Sequence, residues 1–169
     1  LVIFVFDFIG FVKKGKIDEE VNKIALDLRV SRFDNEFASA TTADIPNLRK
    51  VYPYLFPAAD SVWIAKLQDS LQIELRQEVK TNFADFEKET ADIGLLFKYI
   101  KYYLPKYQDP RIITVTNDVD YNNRIILADS LLLIGLDNYL GPEHKYYSGL
   151  QNYIAQDMNR DFMVSNIAS

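Results

Sequence analysis

A short acidic stretch carries the sharpest chemical signal in the sequence. Asp118, Asp120 and Asn122 place oxygen atoms at positions one, three and five of a twelve-residue segment that ends at Asp129. A calcium-binding loop begins with this spacing, and Ile125 fills the eighth position, which such loops keep apolar. The segment has asparagine where the loop needs glycine, and its last ligand would be an aspartate. A polar turn, held by its own Asp and Asn side chains, is the alternative reading.

Two further carboxylates stand in a strongly apolar stretch. Buried carboxylates such as Asp129 and Asp137 would need partners or raised pKa values, and perturbed carboxylates are one mark of active sites. Arg124 could pair with one of them. Eight residues of strand would separate the two aspartates by about 26 Å, which is too far for an acid–base pair. A structural ion pair or a strand-end cap is the favoured interpretation.

Other catalytic groups are scarce in the sequence. It contains one histidine and no cysteine, which excludes a histidine-rich metal site, a thiolate zinc site and a disulfide. Ser130 could use only His144 as a base, and no nucleophile elbow surrounds it. The six glycines form no phosphate-binding loop. We therefore expect no catalytic residue and no cofactor in this chain.

The composition indicates one folded domain that does not bind nucleic acid. Hydrophobic residues make up 49% and aromatic residues 14% of the 169 residues, which argues against disorder. The net charge of −5 disfavours a phosphate-binding surface, because such a surface needs clustered basic residues. Lys98, Lys101 and Lys106 come nearest to such a cluster and are better explained as a solvated helix face.

Hydrophobic periodicity predicts an α+β domain with its helices packed on one face of a small β-sheet. Clean alternation from Lys23 to Val30 predicts a strand, and Asp44, Asp60 and Asp69 each begin a helical segment. The remaining elements are a helix from about 84 to 104 that Pro105 ends, strands at 111–116, 124–127 and 130–136, and a helix at 150–158.

The first residues differ from the rest of the chain. An almost continuous apolar run from Leu1 to Val12 fits either the end of a secretory signal or a hydrophobic strand. Phe11 stands where a lipoprotein signal would place its lipid-bearing cysteine, so the acceptor thiol is missing from this sequence. We assign residues 1–17 to a signal remnant or anchor segment and residues 18–169 to a single α+β domain.

Several motifs between about Asp18 and Asp161 resemble the gliding motility lipoprotein GldB family, and they occur in the family's order. They are Arg32-Phe-Asp34, Tyr52-Pro-Tyr-Leu-Phe-Pro57, Asp60-Ser-Val-Trp63, Phe97-Lys-Tyr-Ile-Lys-Tyr-Tyr-Leu-Pro105, Ile113-Thr-Val, Asp120-Tyr-Asn-Asn123, Ala128-Asp-Ser-Leu131, Leu136-Asp-Asn-Tyr-Leu-Gly141 and His144-Lys-Tyr-Tyr147. The resemblance implies a lipid-anchored envelope protein, on the periplasmic side of the outer membrane, that serves gliding and the associated type IX secretion machinery. It also implies a fold remotely similar to zinc peptidases without their metal motif, and a chain that is the N-terminal portion of a longer protein.

We therefore expect a non-catalytic protein that contacts other envelope proteins of this machinery and reaches the membrane through a lipid anchor. Tyrosine is enriched at protein interfaces, and the tyrosines expected to form the contact surface are Tyr99, Tyr102, Tyr103, Tyr146 and Tyr147. The alternative is a peptidase-like or glycan-cleaving hydrolase whose active site is completed by residues beyond 169.

Overall fold

The computed structural model describes residues 16–169, so most of the predicted signal or anchor segment, including Phe11, lies outside the described residues. The helices are α1 (described from 16 to 22), α2 (Phe33–Ala38), α3 (Ile45–Val51), α4 (Asp60–Gln68), α5 (Ser70–Asn82), α6 (Glu87–Tyr103), α7 (Asn152–Asp157) and α8 (Met163–Ala168). The strands are β1 (Arg29–Ser31), β2 (Arg111–Val115), β3 (Ile125–Ala128) and β4 (Leu131–Gly135).

The four strands form one mixed sheet in the order β1-β2-β4-β3. β1, β2 and β4 are parallel, and Ile112 lies between Val30 and Leu132 in the register. β3 folds back antiparallel to β4 through a tight turn in which Asp129 has a φ of 50°. The crossover from β1 to β2 contains α2 to α6, and a second crossover leads from β2 through β3 to β4.

Apolar residues on both faces of β2 and β4 form the core. Ile112 and Leu132 face a cluster with α5, α6 and α8, whereas Ile113 and Leu133 belong to a second cluster with α2, α3 and α4. The predicted α+β class is confirmed. The helices, however, cover both faces of the central strands and not one face, because consecutive residues of these strands are apolar and each face must be buried.

The start of α5 and the end of α6 follow the sequence signals closely. The Asp69 carboxylate accepts the backbone N–H of Gln72 at 2.9 Å and caps α5. α6 ends at Tyr103, two residues before the proline that the sequence marks as its stop. None of the helices within residues 16–169 is long and apolar enough to cross a membrane.

The predicted strand at Lys23–Val30 is mostly wrong. Only Arg29–Ser31 pairs with β2, and residues 24–28 make no ladder. Leu26 and Leu28 nevertheless pack against the first core cluster. The alternation therefore reports side-chain burial along α6, which does not require strand pairing.

Arg32 fixes the start of α2 against the core. Arg32 binds both oxygens of the buried Asp34 carboxylate, at 2.9 and 2.7 Å, and donates to the carbonyl of Phe83. Asp34 also accepts the hydroxyl of Thr114 in β2. These bonds tie the start of α2 to both the sheet and the end of α5. The Arg32-Phe-Asp34 motif therefore has a structural role at this junction.

Candidate functional site

The carboxyl ends of β2 and β4 lie side by side at the same end of the sheet, which is where open α/β sheets bind ligands. Residues 116–123 follow β2, and a 3₁₀ turn, Leu136–Asn138, follows β4. Asp137 and Asn138 are both fully buried in this turn. The polar stretch that sequence analysis singled out therefore lies against two buried polar side chains.

Asp137 holds the backbone after β2. Its carboxylate accepts the N–H of Asn117 at 3.0 Å and the N–H of Val119 at 2.7 Å. Burial raises the pKa of Asp137 to about 6, although these N–H groups act in the opposite direction. Because the side chain is 0% exposed, it reaches no substrate. Its chemical role is to brace the turn, and the predicted ion pair with Arg124 does not form, because Arg124 pairs with Asp157.

A pair of amides next to this carboxylate escaped the sequence analysis. Asn138 Nδ2 donates to Asn117 Oδ1 at 2.6 Å and to the carbonyl of Gly135 at 3.3 Å. Asn117 Nδ2 in turn donates to the carbonyls of Asp120 and Asn123. An isolated glycine at the end of a strand pattern signals a close approach, and Gly135 was the available clue.

Asp118 and Val119 adopt left-handed backbone conformations, with φ values of 62° and 58°. A β-branched residue rarely adopts this conformation. The Asp118 carboxylate accepts Lys66 Nζ at 2.7 Å and Gln72 Nε2 at 2.9 Å. The turn is therefore fixed from inside by Asp137 and from outside by α4 and α5.

Two of the three calcium candidates, Asp118 and Asp120, are bound by protein groups. Asp120 accepts the N–H of Asn122 at 3.2 Å and Asn123 Nδ2 at 2.7 Å, as expected for the polar turn. Asp118 binds Lys66 and Gln72, as described above. Within the part of the chain that the structure describes, no three His, Asp or Glu side chains are close enough to hold a metal ion.

The other candidate groups lie apart from one another. Asp129 and Ser130 are exposed at the beginning of β4, whereas Asp137 follows its end. His144 lies near Glu78 of α5, with 3.7 Å between Nε2 and the carboxylate, and its Nδ1 accepts the N–H of Tyr146. Ser130 and His144 are therefore on different ends of the sheet.

Two of the tyrosines predicted to form a contact surface follow His144. Tyr147 is 2% exposed; its hydroxyl donates to the carbonyl of Asp137 at 2.6 Å and accepts the N–H of Leu140 at 3.0 Å. Its buried position is a correction that removes Tyr147 from any contact surface. Tyr146 is half-buried against the His144 ring, with Lys145 over its face at 5.2 Å.

The three tyrosines of α6 divide into two groups. The hydroxyls of Tyr99 and Tyr102 donate to Asp18 and Glu20 of α1, the latter at 3.0 Å. Tyr103 packs edge-on against Tyr102 and is 64% exposed. Two of these tyrosines therefore hold the chain's own N-terminal helix, and Tyr103 is left on the surface.

Replacing both Tyr99 and Tyr102 with phenylalanine should loosen α1. Amide hydrogen exchange across residues 18–24 is expected to speed up about three- to tenfold, because two hydrogen bonds to carboxylates are lost. Tyr103→Phe is the control, since its hydroxyl has no hydrogen-bond partner among the described residues. Equal exchange rates in the double variant and the control would contradict this role.

Comparison with known proteins identifies the family. The model of a lipoprotein family described as gliding motility protein GldB matches residues 14–169. No curated protein and no solved structure shows significant similarity to the chain. The match spans all of the described fold, including the loops that follow β2 and β4. This chain therefore belongs to the GldB family of gliding motility proteins.

Proposed function

We propose that this domain is a non-catalytic part of the cell envelope that supports gliding motility through contacts with other proteins. It would be lipid-anchored at the outer membrane, facing the periplasm, and its partners would be proteins of the gliding and type IX secretion machinery. The observation that carries the proposal is membership of a family described by motility and not by a reaction.

The arrangement of polar groups near the carboxyl ends of β2 and β4 supports a structural role. Asp137 is enclosed and braces backbone, while Asp118 and Asp120 are bound by neighbouring side chains and N–H groups. His144 packs between Glu78 and two tyrosine rings. An acid, base or nucleophile must reach a substrate. The polar atoms of these groups instead form hydrogen bonds and ion pairs with other parts of the protein.

The position of α1 supports a tether at the N-terminus. Val21 is fully buried, and Lys98 and Lys101 of α6 donate to backbone carbonyls of residues 22 and 25. Together with Tyr99 and Tyr102, these contacts fix where the N-terminal segment leaves the domain. An anchor attached ahead of α1 would therefore be connected to the domain at a fixed point on α6.

The test is deletion of the gene in its gliding host, with complementation by the wild-type gene. We expect the deletion to stop single-cell gliding and to reduce secretion of a type IX cargo protein, and complementation to restore both. The cargo measurement separates the two roles: loss of gliding with normal secretion would restrict the function to motility. A deletion strain that glides at normal speed would refute the proposal.

A further inference from the structure

Among residues 16–169, nothing pairs with one edge of the sheet, the outer side of β3. β3 has the sequence Ile125-Ile-Leu-Ala128, with no proline or charged residue, and Ile126 and Leu127 are 40% and 55% exposed. Natural edge strands usually carry such residues or are very short, because an open edge pairs readily with other strands. The opposite edge follows this rule, since β1 has three residues and begins with Arg29.

The register shows which backbone groups of β3 face outward. Gly135 donates its N–H to the carbonyl of Arg124 at 2.8 Å, so these two residues form a hydrogen-bonded pair. Pairs alternate along an antiparallel ladder, so Ile126 pairs inward with β4, and Ile125 and Leu127 point their N–H and C=O groups away from it. Between residues 16 and 169 no group accepts or donates to these outward atoms.

The surroundings of β3 add shape and charge to this edge. An open cavity of about 540 Å³ begins at Arg124 and Ile125 and is lined further by Tyr153 and Asp157. At the other end of the strand, the carboxylate of Asp129 is exposed and makes no ion pair among the described residues. Arg124 is neutralised by Asp157, so the unbalanced charge along this edge is negative.

We propose that β3 binds an extended segment of another protein, which adds to the sheet as a fifth strand. The outward N–H and C=O groups of Ile125 and Leu127 would give the affinity, and alternating side chains the specificity, as in β-strand addition. Because Ile126 and Leu127 point to opposite faces of the sheet, the segment carries apolar residues at two consecutive positions to cover both, and a lysine or arginine beside Asp129. The assignment rests on the proposed function, because the partner is a protein of the gliding machinery.

The binding test uses a synthetic peptide of threonines with two consecutive valines at its centre and two lysines at its end. Added peptide should slow amide exchange at Ile125 and Leu127 in a saturable way. Leu127→Pro removes one outward N–H while leaving the bonds to β4, and Leu127→Lys adds a repelling charge; each should weaken binding at least about tenfold. Val62→Lys, on α4 and also exposed, is the control. Protection elsewhere, or equal binding by a folded Leu127→Pro protein, would overturn the assignment.

Gliding assays separate this assignment from the proposed function. The full-length gene carrying Leu127→Lys is compared with Val62→Lys and wild type in the deletion strain, at equal protein levels. We expect Leu127→Lys alone to fail to restore gliding. If the deletion stops gliding but Leu127→Lys restores it fully, the proposed function stands and β3 is not the contact strand. If the deletion itself has no effect, the proposed function fails first.

Discussion

Replacing Gly135 with alanine is expected to cost about 2–4 kcal/mol of unfolding free energy, because it breaks the buried amide pair. A Cβ at this position would lie 2.6 Å from Asn117 Oδ1 and 2.9 Å from Asn138 Nδ2. The backbone at Gly135 has φ −79°, which alanine adopts freely, so the cost is steric and not conformational. Both amides have other bonds to lose, so neither can move away cheaply.

Gly149→Ala is the matched control, because nothing lies within 4 Å of the added Cβ, and we expect a change within about 0.5 kcal/mol. Urea unfolding of both variants makes the comparison. A double variant gives a second test: in an Asn117→Ala background, Gly135→Ala should cost less than it does alone, because the closest clash is gone. Equal costs in the two backgrounds would show that the amide pair is not the cause.

Asp137 is expected to make the stability of the domain depend on pH. Because burial raises the folded-state pKa to about 6, from an ordinary value of 3.8, the folded state binds this proton more tightly than the unfolded state. Its stabilising contribution is therefore fully present below the unfolded pKa and is lost as the pH rises through about 6. Between pH 7.5 and pH 4.5 the wild type should gain about 2 kcal/mol from this group.

Asp137→Asn isolates that contribution, because an amide does not titrate. The difference in unfolding free energy, wild type minus variant, should increase by about 2 kcal/mol between pH 7.5 and pH 4.5. All other carboxylates are common to both proteins and cancel in the difference. Asp129→Asn, an exposed carboxylate, controls for the loss of one surface charge. A difference that stays constant, or that shrinks as the pH falls, would contradict the assigned direction.

Local signals in the sequence predicted the helices α3 to α7, whereas α1, α2 and α8 were not predicted. Asp69 caps α5 through its own side chain, and α6 ends just before Pro105 because proline cannot continue a helix. β2, observed at Arg111–Val115, agrees with the predicted strand at 111–116 because β-branched residues dominate it. Each of these features depends on residues within one turn or one strand.

Features that depend on residues far apart in the sequence were not predicted. Tyr147 was expected at the surface, but its hydroxyl bonds to a buried carbonyl ten residues away and its ring fills the interior. Nothing in the local sequence distinguishes it from Tyr146, which stays half-buried. The partners of Tyr99 and Tyr102 are about 80 residues away along the chain. The composition indicated that tyrosines make contacts. Only the fold showed that Tyr99 and Tyr102 make theirs with α1 of the same chain.

The site divides in the same way. The turn chemistry of Asp120 and Asn122 is local, and the polar turn was one of the two readings kept open. The brace from Asp137 to Val119 joins residues that follow two different strands, so it required the parallel pairing of β2 and β4. The apolar character of β3 was visible in the sequence, but its position at an open edge followed only from the strand order.

The most direct test of the proposed non-catalytic role is single-cell gliding speed in the deletion strain carrying a triple variant. Asp118→Asn, Asp120→Asn and His144→Gln together remove the groups most able to bind a metal or transfer a proton near the carboxyl ends of β2 and β4. Asp118 and Asp120 each accept hydrogen bonds through both carboxylate oxygens, and the amide of asparagine keeps one of the two, so folding of the variant is checked first. The proposed function predicts wild-type speed at equal protein levels. A folded, normally abundant triple variant that cannot restore gliding would contradict the account.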